Sequence, residues 1–340
     1  MKFGAVPVGG AAGSLLAHSV KQGELVLRKG HRLAAADVAR LTDAGITSVI
    51  VAQLEPDDVH EDEAARRMAE ALTGAQVDCG MATTGRANLF ARRAGLVRID
   101  VDRIHAINGV HESLTVATLP DYEPVVEGQM LATVKIIPYA VPRDALEPVL
   151  GLAQGAEGAI CVAPYRGLGV GLVLTRLPQT RASVLAKMRE SVEKRLAPLA
   201  AQLLAERVVS HDVGAIADAV AEVVALPGID AVLVSGIAAT VDRADVVPAG
   251  IEAAGGVIVH AGMPVDPGNL LLLASLPRAD SRCAVVGIPT CARSPKLNGF
   301  DFVLRRLAAG LEVGAWDIMR LGVGGLLGEI PTRPMPRDER

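Results

Sequence analysis

From residue 156 onward the chain alternates short, uninterrupted apolar runs with helical repeats, and few architectures satisfy that order. "VGLVLT" at 170–175, "RVVS" at 207–210 and "DAVLVS" at 230–235 are rich in β-branched residues, and helical patterns over 182–205 and 212–225 separate them. Strands without polar alternation are buried on both faces, which requires a parallel sheet covered by helices on each side. "GGVIVHA", "LLLLASL" and "CAVVGIP" supply further strands, and a last helix is expected near 299–309. The expected fold of 155–330 is therefore α/β: a three-layer αβα domain with a largely parallel sheet. Pro198 falls inside the long helical pattern and should kink or divide it.

The preceding region, 1–154, reads as a smaller α+β body that divides naturally into one or two subdomains. "SLLAHSV" and "GELVLRKG" are strand candidates, and "LAAADVARLTDAGITSVIVAQL" reads as a helix, a stop at Gly45 and a β-branched strand. "EPDDVHEDEAARRMAEAL" opens with helix-start carboxylates and continues as an amphipathic helix to about Leu72. "TTGRANLFARRAGLVRID" follows, with the polar loop residues Arg86 and Asn88, then a helix near 100–110 and strand-forming "GQMLATVKIIPYAVP". The ending "PTRPMPRDER", 331–340, has the composition of a flexible tail or linker.

Charge and composition exclude several functions. The 34 Lys and Arg against 38 Asp and Glu leave a net charge of -4 with no basic cluster, and aromatic residues make up 2% of the chain. Neither phosphate-backbone neutralisation nor base stacking is provided for, so nucleic acid is not an expected partner. The apolar runs fall far short of the roughly 20 residues of a membrane span, and the first residues lack an unbroken apolar segment. A cytoplasmic protein with no membrane partner is expected. Its four scattered cysteines, Cys79, Cys161, Cys283 and Cys291, have neither disulfide density nor metal-ligand spacing.

In open α/β sheets ligands bind at the carboxyl ends of the strands, and here four loops qualify: 175–181, 235–245, 260–269 and 289–299. Ser235 and Gly236 allow the backbone to turn close to a bound group. Asp242 and Asp245 follow, a carboxylate pair suited to Mg²⁺ beside phosphate and a candidate for catalysis. Asp245 is equally suited to capping the helix that starts at Val246. Arg293, Ser294, Lys296 and Asn298 form a donor set for phosphate ahead of a helix. The early "GGAAG" lacks the Lys and Ser or Thr of a P-loop, Cys291 has no neighbouring His in sequence to make it a nucleophile, and His260 is simplest as a strand-end imidazole.

Three ordered stretches in 160–325 resemble the molybdopterin-binding family that includes molybdopterin molybdotransferase and the E domain of gephyrin. "DAVLVSGIAATVDRADVV" is similar to the family's strand and "SGG" loop ending in Asp. "GGVIVHAGMPVDPGNLLLL" is similar to its "HGVxxKPGKP" segment, with Pro267 and Gly268 retained, and "VVGIPTCARSPKLNGFDFVLRRL" to its "GLPGNP" loop and following helix. "VGLVLT" and "VVSHD" match the earlier strands, with Asp212 at the family's Asp. "LVLRKGHRLAAADVARLTDAGITSVIV" is similar to a small region that precedes the binding domain in the molybdotransferases. The whole sequence is nearest a bacterial subgroup in which such a domain is sometimes followed by a nucleotidyltransferase.

The resemblance implies a protein of molybdenum cofactor biosynthesis that binds molybdopterin or adenylylated molybdopterin with Mg²⁺, inserts molybdate as a transferase, and forms a homodimer. It places Thr175, Arg176, Ser235, Gly236, Pro267, Gly268, Asn269, Pro289, Arg293, Ser294 and Lys296 at the pterin phosphate and Asp242 and Asp245 at the metal. Two other roles stay open: a non-catalytic carrier serving a nucleotidyltransferase or a molybdoenzyme, and a nucleotide pyrophosphatase. The departures have physical consequences. The family's acidic "TGDE" is Thr175, Arg176, Leu177 and Pro178 here, two lysines of the "KPGKP" segment are Asp266 and Asn269, and the second Gly of "SGG" is Ile237. Arg176, Arg243, Arg293 and Lys296 can compensate the lost cations, and pterin binding is better supported than molybdenum transfer. The family's "SAMDGYA" motif has no counterpart.

Overall fold

The computed structural model describes residues 1–155, 157–278 and 281–327; the proline-rich ending read as a tail lies outside them. The chain divides into two units, Met1–Pro164 and Tyr165–Arg340.

The first unit is α+β with two separate cores. The smaller core gathers Leu16, Leu33, Leu41 and Val51 beneath a sheet in which Ser48–Gln53 pairs antiparallel with Lys2–Pro7 and Leu15–Leu16. Helix Ala35–Asp43 packs there and Gly45, in the left-handed region at φ +75, turns the chain into the central strand. The larger core seats helix Glu61–Leu72, through Ala64, Ala65, Met68 and Leu72, on a sheet built from Arg86–Ala91, Met130–Ile136 and Leu114–Thr118. Helix Arg143–Ala153, not expected from the sequence because Pro148 interrupts its pattern, covers the same core. Strand Ile160–Pro164 pairs with Gly95–Ile99, so this strand, which the sequence reading placed in the second domain, packs with the first unit.

In the second unit, whose elements are labelled by themselves, the strands are β1 (Gly169–Arg176), β2 (Gln202–Ser210), β3 (Ala231–Ser235), β4 (Val257–Ala261), β5 (Leu272–Pro277) and β6 (Arg282–Gly287). The helices are α1 (Ala182–Leu196), α2 (Val213–Val224), α3 (Val246–Ala253), α4 (Gly299–Ala308) and α5 (Ala315–Met319). The six strands form one sheet in the order β2-β1-β3-β6-β5-β4; β2, β1, β3 and β6 run parallel, and β5 is antiparallel to both neighbours. The central strand β1 is buried from Gly169 to Thr175, as an apolar parallel strand covered on both faces must be.

Helices cover both faces. Leu172 and Leu174 pack against Met188, Val192 and Leu196 of α1 and Phe300, Val303 and Leu304 of α4. On the other face Val173, Val232 and Val234 meet Ile216, Val220 and Val223 of α2 and Val247 and Ile251 of α3. The three-layer α/β arrangement expected from the strand pattern is thus present. One element differs: the helix read over 182–205 ends at Leu196, a 3-10 turn covers Ala197–Leu199, and Ala200 turns left-handed at φ 52. Strand β2 then starts at Gln202 rather than Arg207, because pairing with β1 outweighs the helical propensity of "QLLAE".

Candidate ligand site at the carboxyl ends of the strands

The strand order reverses direction at β1: the chain steps from β1 outward to β2, then crosses back to β3. Right-handed crossovers in opposite directions put α1 and α2 on opposite faces, which opens a crevice between the loops after β1 and β3. Leu174 pairs with Ser235 across this point, so Thr175 and the 236–245 loop leave the sheet side by side.

Four loops meet there through specific bonds. The Thr175 hydroxyl, 1% exposed, accepts the Ile237 N–H at 2.8 Å and lies 2.9 Å from His211 Nδ1. Arg293 donates from Nη2 to the Ile237 carbonyl at 2.8 Å and the Gly236 carbonyl at 3.4 Å, tying the loop after β6 to the loop after β3. The Pro267 carbonyl accepts Gly299 N–H at 2.9 Å, joining the loop after β4 to the start of α4. Gly268 makes this approach possible: at φ +134, a Cβ built on it would lie 2.6 Å from Gly299 N.

The arrangement separates the expected residues by role. Thr175, Ser235, Gly236, Pro267 and Gly268 are framework: Thr175 and Ser235 are buried, and Arg293 has its Nη2 on loop carbonyls. Between Thr175, Ser235 and Arg293 only about 10 Å³ remains, room for one water at most. Thr175 therefore fixes loop geometry and does not offer its hydroxyl to a ligand. Arg176, Ser294, Lys296 and Asn269 are exposed on the outer surface of the joined loops, while Pro289 starts the 3-10 turn Thr290–Arg293. That outer surface is what the joined loops present to solvent.

Asp245 is the N-cap of α3, with one carboxylate oxygen accepting Val246 N–H at 2.7 Å and the other Val241 N–H at 3.2 Å. Asp242, exposed, accepts Ala244 N–H through Oδ1 at 2.8 Å and keeps Oδ2 without a bond among the described residues. Among those residues no group of three or more His, Cys, Asp or Glu gathers as a metal cage. A Mg²⁺ that shares its shell with phosphate and water needs only one or two carboxylates, and Asp242 Oδ2 is the one oxygen of the two carboxylates that takes no backbone N–H among the described residues.

Sequence reasoning missed the residues that hold the 290–298 loop in shape. Arg195, near the end of α1 with a side chain 7% exposed, pairs with Asp301 at 2.8 Å. Its Nη2 donates to the carbonyls of Ser294 at 2.8 Å and Lys296 at 3.0 Å, and its Nη1 to the Ser191 hydroxyl and carbonyl. Ser191 donates in turn to the Ala292 carbonyl at 2.8 Å. Asn298 closes the loop as N-cap of α4, accepting Phe300 N–H at 3.1 Å, while its amide donates to Cys291 Sγ at 3.1 Å. Cys291 is thus a hydrogen-bonded loop thiol. His211 was missed as well, although its position after β2 placed it at a strand's carboxyl end.

Residues 5–53, in the first unit, match a family described as a domain of unknown function, DUF8806. The comparison with curated proteins gave no match. Among solved structures the chain is similar to a molybdenum cofactor biosynthesis protein from Pyrococcus furiosus, at 13% identity over 92% of this chain and 66% of that one, with a TM-score of 0.25. It is also similar to the protein CinA, of unknown function, from Thermoplasma acidophilum, at 14% identity over 36% of this chain and 88% of that one, with a TM-score of 0.22. The chain spans just under two thirds of the Pyrococcus protein's length. At such superposition the α/β fold of the second unit rests on its own sheet order and layers, and among the described residues no helix is long and apolar enough to cross a membrane.

Proposed function

We propose that the second unit binds molybdopterin or its adenylylated form on the joined loops at the carboxyl ends of β1, β3 and β6, and that the protein acts in molybdenum cofactor biosynthesis. The observation that carries this reading is the braced 290–298 loop: Arg195 and Ser191 fix its carbonyls from below, so Ser294 and Lys296 are held outward with little ordering cost on binding. Lys296 and Arg176 supply charge for a pterin phosphate, Ser294 and Asn269 supply polar contacts, and Asp242 with Asp245 would hold Mg²⁺. Bound Mg²⁺ would draw charge from a phosphoanhydride and favour its hydrolysis to AMP as molybdate, the second substrate, is inserted. The side chains themselves bind and orient the ligand.

A second reading, a carrier without turnover, is favoured by one feature: both carboxylates already accept backbone N–H groups of their own loop. Anaerobic calorimetry with molybdopterin and with adenylylated molybdopterin, with and without Mg²⁺, tests both. Binding with molybdate-dependent AMP release establishes the transferase, and binding without release establishes the carrier. Metal-dependent nucleotide release without molybdate points to the pyrophosphatase, and no binding overturns the proposal. Lys296→Ala is expected to weaken binding about tenfold, the loss of one charge-assisted contact of roughly 1.5 kcal/mol. Asp242→Asn should abolish AMP release by a transferase yet leave a carrier's affinity nearly unchanged.

A further inference from the structure

At the opposite edge of the same sheet, the segments that enter β1, β3 and β6 surround a cavity of about 970 Å³. Arg166 precedes β1, Asp230 precedes β3, Arg282 opens β6, and Arg278 lies just past β5; the turn after α4, including Gly310, forms the facing wall. Three guanidinium groups thus line one concavity, and among the described residues none is paired with a carboxylate. Arg278 donates from Nη2 to the Val224 carbonyl at 2.7 Å, while its Nε is buried and has no acceptor among the described residues.

The remaining wall is chemically mixed. Asp230 accepts Gly169 N–H through one oxygen at 2.8 Å and has another to offer, Ser275 adds a hydroxyl, and Leu307 and Leu311 supply apolar surface. The carbonyl end of α4 also abuts the cavity, but Arg166, Ala309, Gly310 and Leu311 N–H groups occupy the carbonyls of Ala308, Arg305, Leu307 and Arg306. The guanidinium groups are therefore not needed there. Planar guanidinium forks match phosphate oxygens, acidic and hydroxyl groups match hydroxyl or amino donors, and the volume is that of a nucleotide-sized ligand.

We propose that this cavity binds a phosphorylated small molecule of nucleotide size, with its phosphates on Arg166, Arg278 and Arg282 and its hydroxyl or amino groups on Asp230 and Ser275. The site is independent of the pterin reading, which concerns the other edge of the sheet. Calorimetry of the full chain with ADP, inorganic pyrophosphate and adenosine at fixed ionic strength tests it. ADP is expected to bind more tightly than pyrophosphate, adenosine not at all, and ADP affinity should fall with added salt. Arg166→Met with Arg282→Met, both exposed positions, should weaken ADP binding at least tenfold without moving the thermal unfolding midpoint. If that double variant does not fold, Arg166→Gln alone should weaken binding severalfold. Absence of ADP binding to the unaltered chain, unchanged affinity in the arginine variants, or loss of binding in Lys296→Ala alone would each overturn the assignment. The last result would move ADP to the carboxyl edge.

Discussion

Arg195 directs its guanidinium at Asp301, Ser191 and the carbonyls of Ser294 and Lys296 from a nearly buried position. Replacing it by Met leaves the Asp301 carboxylate buried with, among the described residues, only the Asn298 N–H at 2.8 Å, and loss of one partner of a buried pair costs about 3–5 kcal/mol. Urea unfolding of Arg195→Met should show that loss, and adding Asp301→Leu should recover part of it, since no charge is then stranded. In the first unit, Asp37, largely buried, is held below the usual carboxylate range first by the His31 imidazole at 2.8 Å and then by the Ala34 N–H at 3.0 Å. A lowered folded value means stability present above the unfolded pKa of about 3.9 and lost as pH falls through the folded one. His31→Ala should therefore make acid unfolding of the first unit begin at higher pH, and in Asp37→Asn this contribution to the pH dependence should be gone; far-ultraviolet circular dichroism against pH reads both. Of the candidate site, Asp242, Asp245, Arg293, Ser294 and Lys296 were legible because polar residues in strand-to-helix loops stand out locally. Arg195 and Ser191 were not, since a charge in a helical repeat reads as solvated face until the tertiary fold buries it.

Strand–helix alternation predicted five of the six strands of the second unit close to their ends, because each is an apolar run bounded by turn residues. The exception is the passage from α1 to β2. Leu and Ala extend a helical pattern through 196–205, and the pairing with β1 that converts Gln202–Arg207 to strand is non-local. What stops the helix is local: Pro198 in the 3-10 turn, then Ala200 at φ 52 and ψ 24. An L-residue in that region is strained by roughly 1–2 kcal/mol, while Gly there loses more backbone entropy on folding. Ala200→Gly is accordingly expected to raise stability by about 0.5–1 kcal/mol, measured as an increased urea midpoint with unchanged slope. Ala200→Val, with its branched Cβ, should lower it. In the first unit the helix Arg143–Ala153 escaped for the related reason that Pro148 breaks the pattern, although it lies in the body of the helix.

At the scale of the whole molecule, the two units have cores with no residue in common: Val59 to Val162 in the first unit's larger core, and Leu168 to Ile318 and Val173 to Val285 on the two faces of the second unit's sheet. Each face of that sheet is sealed by helices of the same unit, so residues from Tyr165 onward contain the apolar contacts that define their own fold. A chain starting at Tyr165 should then unfold cooperatively and keep its mixed helix and strand signal by circular dichroism. The same division bears on ligands. Lys296 and Asp242 lie at the carboxyl edge of the sheet and Arg166 and Arg282 at its amino edge, all within the second unit. The isolated unit should therefore bind ADP with the affinity of the full chain, and a ligand at either edge should raise its unfolding midpoint by the amount its affinity dictates. If ADP bound the full chain but not the isolated unit, although the unit remained folded, the arginine cavity would need residues before Tyr165; its lining, Arg166 to Gly314, predicts that it does not.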